Sequence, residues 1–172
     1  MKRIIFLLFI IGFTHSYSQN EIFDASRKGI VNDVISIYTK YPNSINLTSE
    51  EGYTPLILAC YHGNEKVVEF LVKRVQDVNQ SSPYGSALMA AVVKGNTKIV
   101  ELLLNSNADA NIADENGTTA MHYAVMFRNY EAVKLLIKAN ADVKIKDNRG
   151  QCALDYAVNY NDKKLTNLLK NI

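Results

Sequence analysis

Two cysteines, Cys60 and Cys152, and three histidines, His15, His62 and His122, are the side chains that could act as nucleophile, general base or metal ligand. Cys60 and His62 stand two residues apart in a stretch with helical spacing, so they point to different sides of that helix. His15 falls in the N-terminal segment described below. The chain shows no His-x-x-x-His pair, no acidic metal cluster, no glycine-rich phosphate loop and no nucleophile–base–orienter set. No cofactor or metal is therefore expected. An enzyme or redox protein using Cys152 or a histidine stays as the alternative, and its mark would be an accessible, perturbed thiol beside a base.

The elements that position these residues repeat. Gly52, Gly85, Gly117 and Gly150 recur at an almost constant interval. Each opens a similar phrase: Gly-Tyr-Thr-Pro-Leu, Gly-Ser-Ala-Leu, Gly-Thr-Thr-Ala-Met and Gly-Gln-Cys-Ala-Leu. A period of this length marks a stacked array of supersecondary units. In the copy from Glu51 to Gln80, Thr54 can cap a helix that begins at Pro55, where a missing N–H costs nothing. Leu56, Ala59 and Cys60 follow at helical spacing, and Gly63 supplies the stop. A second helix carries Val67, Val68, Phe70 and Leu71 on its apolar side, and Asp77-Val78-Asn79 leads to the next turn. So small a helix pair cannot bury its own apolar face and must stack on a neighbour. Ala59 recurs as Ala25, Ala91, Ala124 and Ala157, where small residues let helices approach closely. Leu102 and Leu135 fall in the second-helix pairs and are expected in the core.

At the N-terminus, Lys2 and Arg3 precede an apolar run from Ile4 to Phe13, followed by small residues at Ser16 and Ser18. This is the order of a cleavable export signal spanning 1–18, with the mature chain starting at Gln19. The run is shorter than the roughly 20 apolar residues that a membrane-spanning helix requires. No stable membrane insertion is expected once it is removed. The whole chain has 19 Lys+Arg against 17 Asp+Glu, and loss of Lys2 and Arg3 leaves 17 against 17. A neutral mature domain has no net electrostatic attraction to nucleic acid. Location outside the cytoplasm is the expectation, periplasmic in preference to extracellular.

With these motifs the sequence resembles the ankyrin-repeat family. The features that carry the resemblance are the Gly-x-Thr-Pro-Leu opening, the Ala-x-x-x-Gly helix stop, the second helix in the manner of Val67-Val68 and Phe70-Leu71, and the tail Ala108-Asp109-Ala110-Asn111. The resemblance runs from about residue 20 to the end. It implies an all-α solenoid of L-shaped repeats with β-hairpin loops, and a monomeric, non-catalytic scaffold that binds another protein. The units are a capping repeat at about 20–47, repeats at 48–80, 81–113 and 114–146, and a C-terminal cap at 147–172. Asp33 and Ser36 near one end, and Thr166 and Asn167 near the other, replace apolar residues as terminal caps require. Arg128 and Asn161 stand where other copies have the stop glycine, and Val75 where the family has glycine before Ala-Asp. A β-branched Val resists the left-handed conformation, so the loop at Val75 is expected to deviate.

Register within the array also bears on the cysteines. Helices packed about 8–10 Å apart put Cys60 and Cys152 roughly 25–30 Å apart across three repeats. A disulfide needs Cα atoms within about 7 Å. Both thiols are expected to be free. The resemblance makes His122 a structural residue bonded to neighbouring turns. It further implies that the two residues before each helix stop, together with the hairpin tips, lie on the concave face. Those positions hold Tyr61-His62, Val93-Lys94, Met126-Phe127 and Asn159-Tyr160, with Tyr53 and Tyr84 at the hairpins. Aromatic and Met side chains dominate binding energy where they are exposed. Tyr53, Tyr61, His62, Tyr84, Val93, Met126, Phe127 and Tyr160 are accordingly the candidate partner-binding set. The alternative is that these rings lie flat on neighbouring repeats and complete the core.

Overall fold

Threonine, serine or cysteine at the head of a short apolar run sets the start of each inner helix, and a left-handed residue sets its end. The structure is a computed structural model that describes residues 20–170. The export signal expected at 1–18 lies outside the described residues. Ten helices form five pairs among the described residues: α1 (20–28) with α2 (Val31–Lys40), α3 (Pro55–Tyr61) with α4 (Glu65–Leu71), and α5 (Ala87–Val93) with α6 (Thr97–Leu104). They continue with α7 (Ala120–Met126) and α8 (Tyr130–Lys138), then α9 (Ala153–Asn159) and α10 (Lys163–Lys170). A short 3-10 turn, Pro42–Asn46, follows α2. The inner helices α3, α5, α7 and α9 pack in sequence, and the outer helices α2, α4, α6, α8 and α10 form a parallel row behind them. This is an all-α solenoid with hairpin loops. The strands Ser81–Ser82 and Gly85–Ser86 pair antiparallel, and Ala113 bridges Thr119 in the next hairpin.

Thr54 and Ser86 accept from Ile57 and Met89 N–H groups at the third helical position. Thr119 and Cys152 make reciprocal capping boxes with His122 and Asp155. Each inner helix then closes with the same wide loop: Asn64, Asn96, Asn129 and Asp162 donate their N–H to the carbonyls of Ala59, Ala91, Ala124 and Ala157, at 2.8–3.1 Å. Those four alanines are completely buried, which is where the close helix approach expected from their size occurs. The residue before each donor is left-handed: Gly63 and Gly95, but also Arg128 at φ 52° and Asn161 at φ 51°. A side chain at this φ is strained, and the loop hydrogen bond together with packing holds it there.

The Val75 loop deviates as expected. In the next two repeats Asn107 and Asn140 take the left-handed conformation, with φ of 62° and 58°, and Ala108 and Ala141 N–H bond back to Leu103 and Leu136. Val75 keeps a negative φ. Gln76 N–H turns instead to Asn46 Oδ1 at 2.8 Å, one position earlier than the equivalent bonds from Asp109 to Asn79 and from Asp142 to Asn111.

The core follows one row of each outer helix. Leu71, Leu103 and Leu136 are fully buried, with Val67, Val68, Ile99, Val100 and Val133. Leu102 and Leu135, expected in the core, are only half-buried; they sit one residue back from the row that faces the inner helices. At the ends, Asp33, Ser36 and Asn167 are exposed and Thr166 is half-buried. Among the described residues no helix is long and apolar enough to cross a membrane.

Candidate functional site

Cys60 lies fully buried in α3, and burial pushes its thiol far above the ordinary thiol range, which leaves it an un-ionised core residue. Cys152 is half-exposed and free, but it is engaged as the cap of α9: its N–H donates to Asp155 Oδ2 at 2.9 Å. That bond, together with the thiol contact, holds the Asp155 carboxyl below its usual range. His122 is buried. Its Nδ1 accepts from Thr119 N–H at 3.2 Å, so Nε2 carries the proton and donates to the Gln151 carbonyl at 3.1 Å in the next repeat. This residue ties two turns together, the structural role that the resemblance implied. Among the described residues no three His, Cys, Asp or Glu side chains gather as a metal would require.

The recess of interest opens where the hairpins meet the inner helices of the second, third and fourth repeats. It has a volume of about 420 Å³ and mainly apolar walls. The Tyr53 and Tyr84 rings, stacked with centroids 5.6 Å apart, form the hairpin wall. Tyr61 from α3, Val93 from α5 and Phe127 at the end of α7 form the opposite side. Leu58, Met89 and Ala90 make the floor. Tyr84 is 68 % exposed, Phe127 57 % and Tyr61 47 %, so these rings are held open to solvent rather than folded into the core. His62 and Arg27 stand at the margin, and the Lys94 ammonium lies over the Tyr61 ring at 4.6 Å from its centroid.

Local sequence explains why the recess lies here. Between the hairpin glycine and the helix cap, the other repeats place Tyr53, Thr118 and Gln151, whereas Gly85 runs directly into Ser86. The third repeat therefore lacks one side chain along this edge. Gly85 takes φ +110°, a conformation that side chains rarely adopt, and a Cβ there would press on the Met89 side chain, so glycine suits the edge of the recess.

Of the candidate residues, Tyr53, Tyr61, His62, Tyr84, Val93 and Phe127 come together in this groove. Met126 does not: it is half-buried and packs against the core, since an unbranched thioether lies down easily into an irregular gap. Tyr160 is exposed but stands beside Tyr156, outside the groove. Arg27, Tyr123 and Met89 were missed. Arg27 occupies in the first repeat the position of Tyr61, two residues before the stop glycine, and that register was available in the sequence.

In the last two hairpins the equivalent ground is filled. Asp114 Oδ1 accepts from Asn116 and Thr118 N–H, and its Oδ2 accepts from Tyr123 Oη at 2.6 Å. Asp147 repeats this with Arg149, Gln151 and Tyr156. Burial works against the Asp147 carboxylate, yet the Tyr156 hydroxyl and the backbone donors outweigh it and hold its pKa below the usual range. Burial first, then the bond to Asp114, pushes the Tyr123 phenol up to about 12.

A row of stacked helix pairs bearing an open aromatic groove defines a helical repeat protein. Residues 22–114 and 88–172 match the family described as ankyrin repeats in sets of three copies. The chain belongs to the ankyrin-repeat family, and such repeats form protein–protein interaction scaffolds. The rat protein Ankyrin repeat and SAM domain-containing protein 6 is 34 % identical over 111 residues, which are 63 % of this chain and 12 % of that protein.

Proposed function

We propose that the protein is a non-catalytic binding module that works after export, in the cell envelope or outside the cell, and holds another protein in the groove between Tyr84 and Phe127. The observation that carries this reading is a set of three large rings, 47–68 % exposed, converging on one apolar recess. Exposed aromatic surface of this kind is costly unless it is used. Stacked inner helices hold its walls in place before any partner arrives, which lowers the ordering cost of binding. Export is supported by the charged, apolar and small-residue order of the segment 1–18. In that setting the module acts as a single copy and as a helper or inhibitor of a partner envelope protein.

Two measurements test this. N-terminal sequencing of the protein from its host should begin at or near Gln19, and intact Met1 in a cytoplasmic fraction would overturn the export part. Capture from an envelope extract should recover a protein that the Phe127→Ala variant fails to hold. Equal capture by that variant would place the interface elsewhere.

A further inference from the structure

We infer that the groove selects a partner segment whose aromatic or aliphatic anchor is followed, towards the Lys94 side, by a carboxylate. This rests on the groove being the binding face. A recess of about 420 Å³ is larger than one side chain, and its open walls suit an extended segment that inserts an anchor and continues along the rim. Among the described residues no carboxylate lines the recess. Its basic neighbours are Arg27, His62 and Lys94, which differ in availability, and on the acidic side Asp114 is held behind the lining Tyr123 hydroxyl and Glu51 acts on the lining Tyr53. Arg27 is held by Asp24 at 3.1 Å and borders a separate polar hollow that contains Glu50 and Glu51. Lys94 is exposed, rests on the Tyr61 face, and forms no ion pair among the described residues.

Lys94 is thus a cation held over one of the rings that line the recess, while Glu50 and Glu51 lie in the separate hollow that Arg27 also borders. The ring attracts the ammonium through its quadrupole and keeps it at the edge. From there it can give a carboxylate a charge-assisted hydrogen bond without drawing on a partner of its own. A segment with a basic residue on that side would meet like charge with nothing in the recess to offset it. The apolar walls set the anchor and Lys94 sets the direction of the chain.

A random nine-residue peptide library displayed on phage, selected on the intact protein, tests this. Recovered sequences should carry an aromatic or aliphatic residue with Asp or Glu enriched on one side of it. Their binding should fall about tenfold in Lys94→Glu and should be lost in Phe127→Ala, while both variants melt like the parent. Sequences that depend on Phe127 but show no acidic excess, or that bind Lys94→Glu equally well, would overturn the inference and leave the groove as the binding face. Sequences indifferent to both Phe127→Ala and Tyr61→Ala would overturn both, as would a selection that recovers nothing.

Discussion

The second and third repeats and the fourth and fifth share one backbone plan but use the same positions in opposite ways. In the later pair, a hairpin aspartate and a tyrosine nine residues on close a lock: Asp114 with Tyr123, and Asp147 with Tyr156. In the earlier pair, serines stand at the aspartate position, and Leu58 and Ala90 stand where the tyrosines would be. Ser49 and Ser82 satisfy only their own hairpins, Ser49 by receiving Tyr53 N–H and Ser82 by receiving Tyr84 N–H. The difference is between using a helix position for internal polar bonding and leaving it low enough for a recess. An aromatic residue at that position seals the hairpin against the helix, whereas a small or aliphatic one forms a floor. Tyr123 does both, since its ring stacks on Phe127 at 6.4 Å and also borders the groove. The boundary between locked and open repeats therefore runs through α7.

The largest effect should separate packing from recognition. Leu136→Ala removes a fully buried side chain and should cost about 2–5 kcal/mol of stability. Phe127→Ala, on an exposed ring, should leave thermal melting almost unchanged while abolishing partner capture. Comparable melting losses in the two variants would show that the aromatic wall belongs to the core. Next comes the lock itself. Tyr156→Phe strips a donor from the Asp147 carboxylate, a hydrogen bond to a charged group that is worth roughly 1.5–3 kcal/mol. Chemical denaturation should register that loss, with unchanged binding at the groove.

The comparison can also be inverted. Ser49 and Leu58 stand nine residues apart, the spacing of both natural locks. The double substitution Ser49→Asp with Leu58→Tyr should raise the groove floor and close it. The expected outcome is lost capture with little change in melting, and retained capture would mean that the floor is not part of the site. The smallest effect is one of pH. Because the folded state raises the Tyr123 phenol to about 12, its contribution is complete below the ordinary tyrosine value near 10 and disappears as pH rises through about 12. Hydrogen exchange above pH 10 should loosen α7 and its hairpin before α3 and α4. Simultaneous loosening of all repeats would remove the proposed difference.

Much of the architecture could be read from the sequence because the features that set it are local and recur. A capping Thr, Ser or Cys, a buried alanine and a left-handed stop act within a single turn, and their regular return along the chain exposed the stacking. Val75 shows the same logic in a departure, since the stiffness of a β-branched side chain foretold an altered loop. Both cysteines are free thiols, as their register implied. The groove was only partly visible. Tyr61, Val93 and Met126 share one register, yet the first two line the recess and Met126 turns onto the core. Leu135 and Leu136 both read as core, and only the second faces the inner helices. Tyr160 matched Phe127 by position but stands beside Tyr156, outside the recess. In each case the decision belongs to how the helices pack and not to the register of one helix. Periodicity assigns a residue to a face of its own helix, but only the packed structure determines whether that face is covered, open or locked.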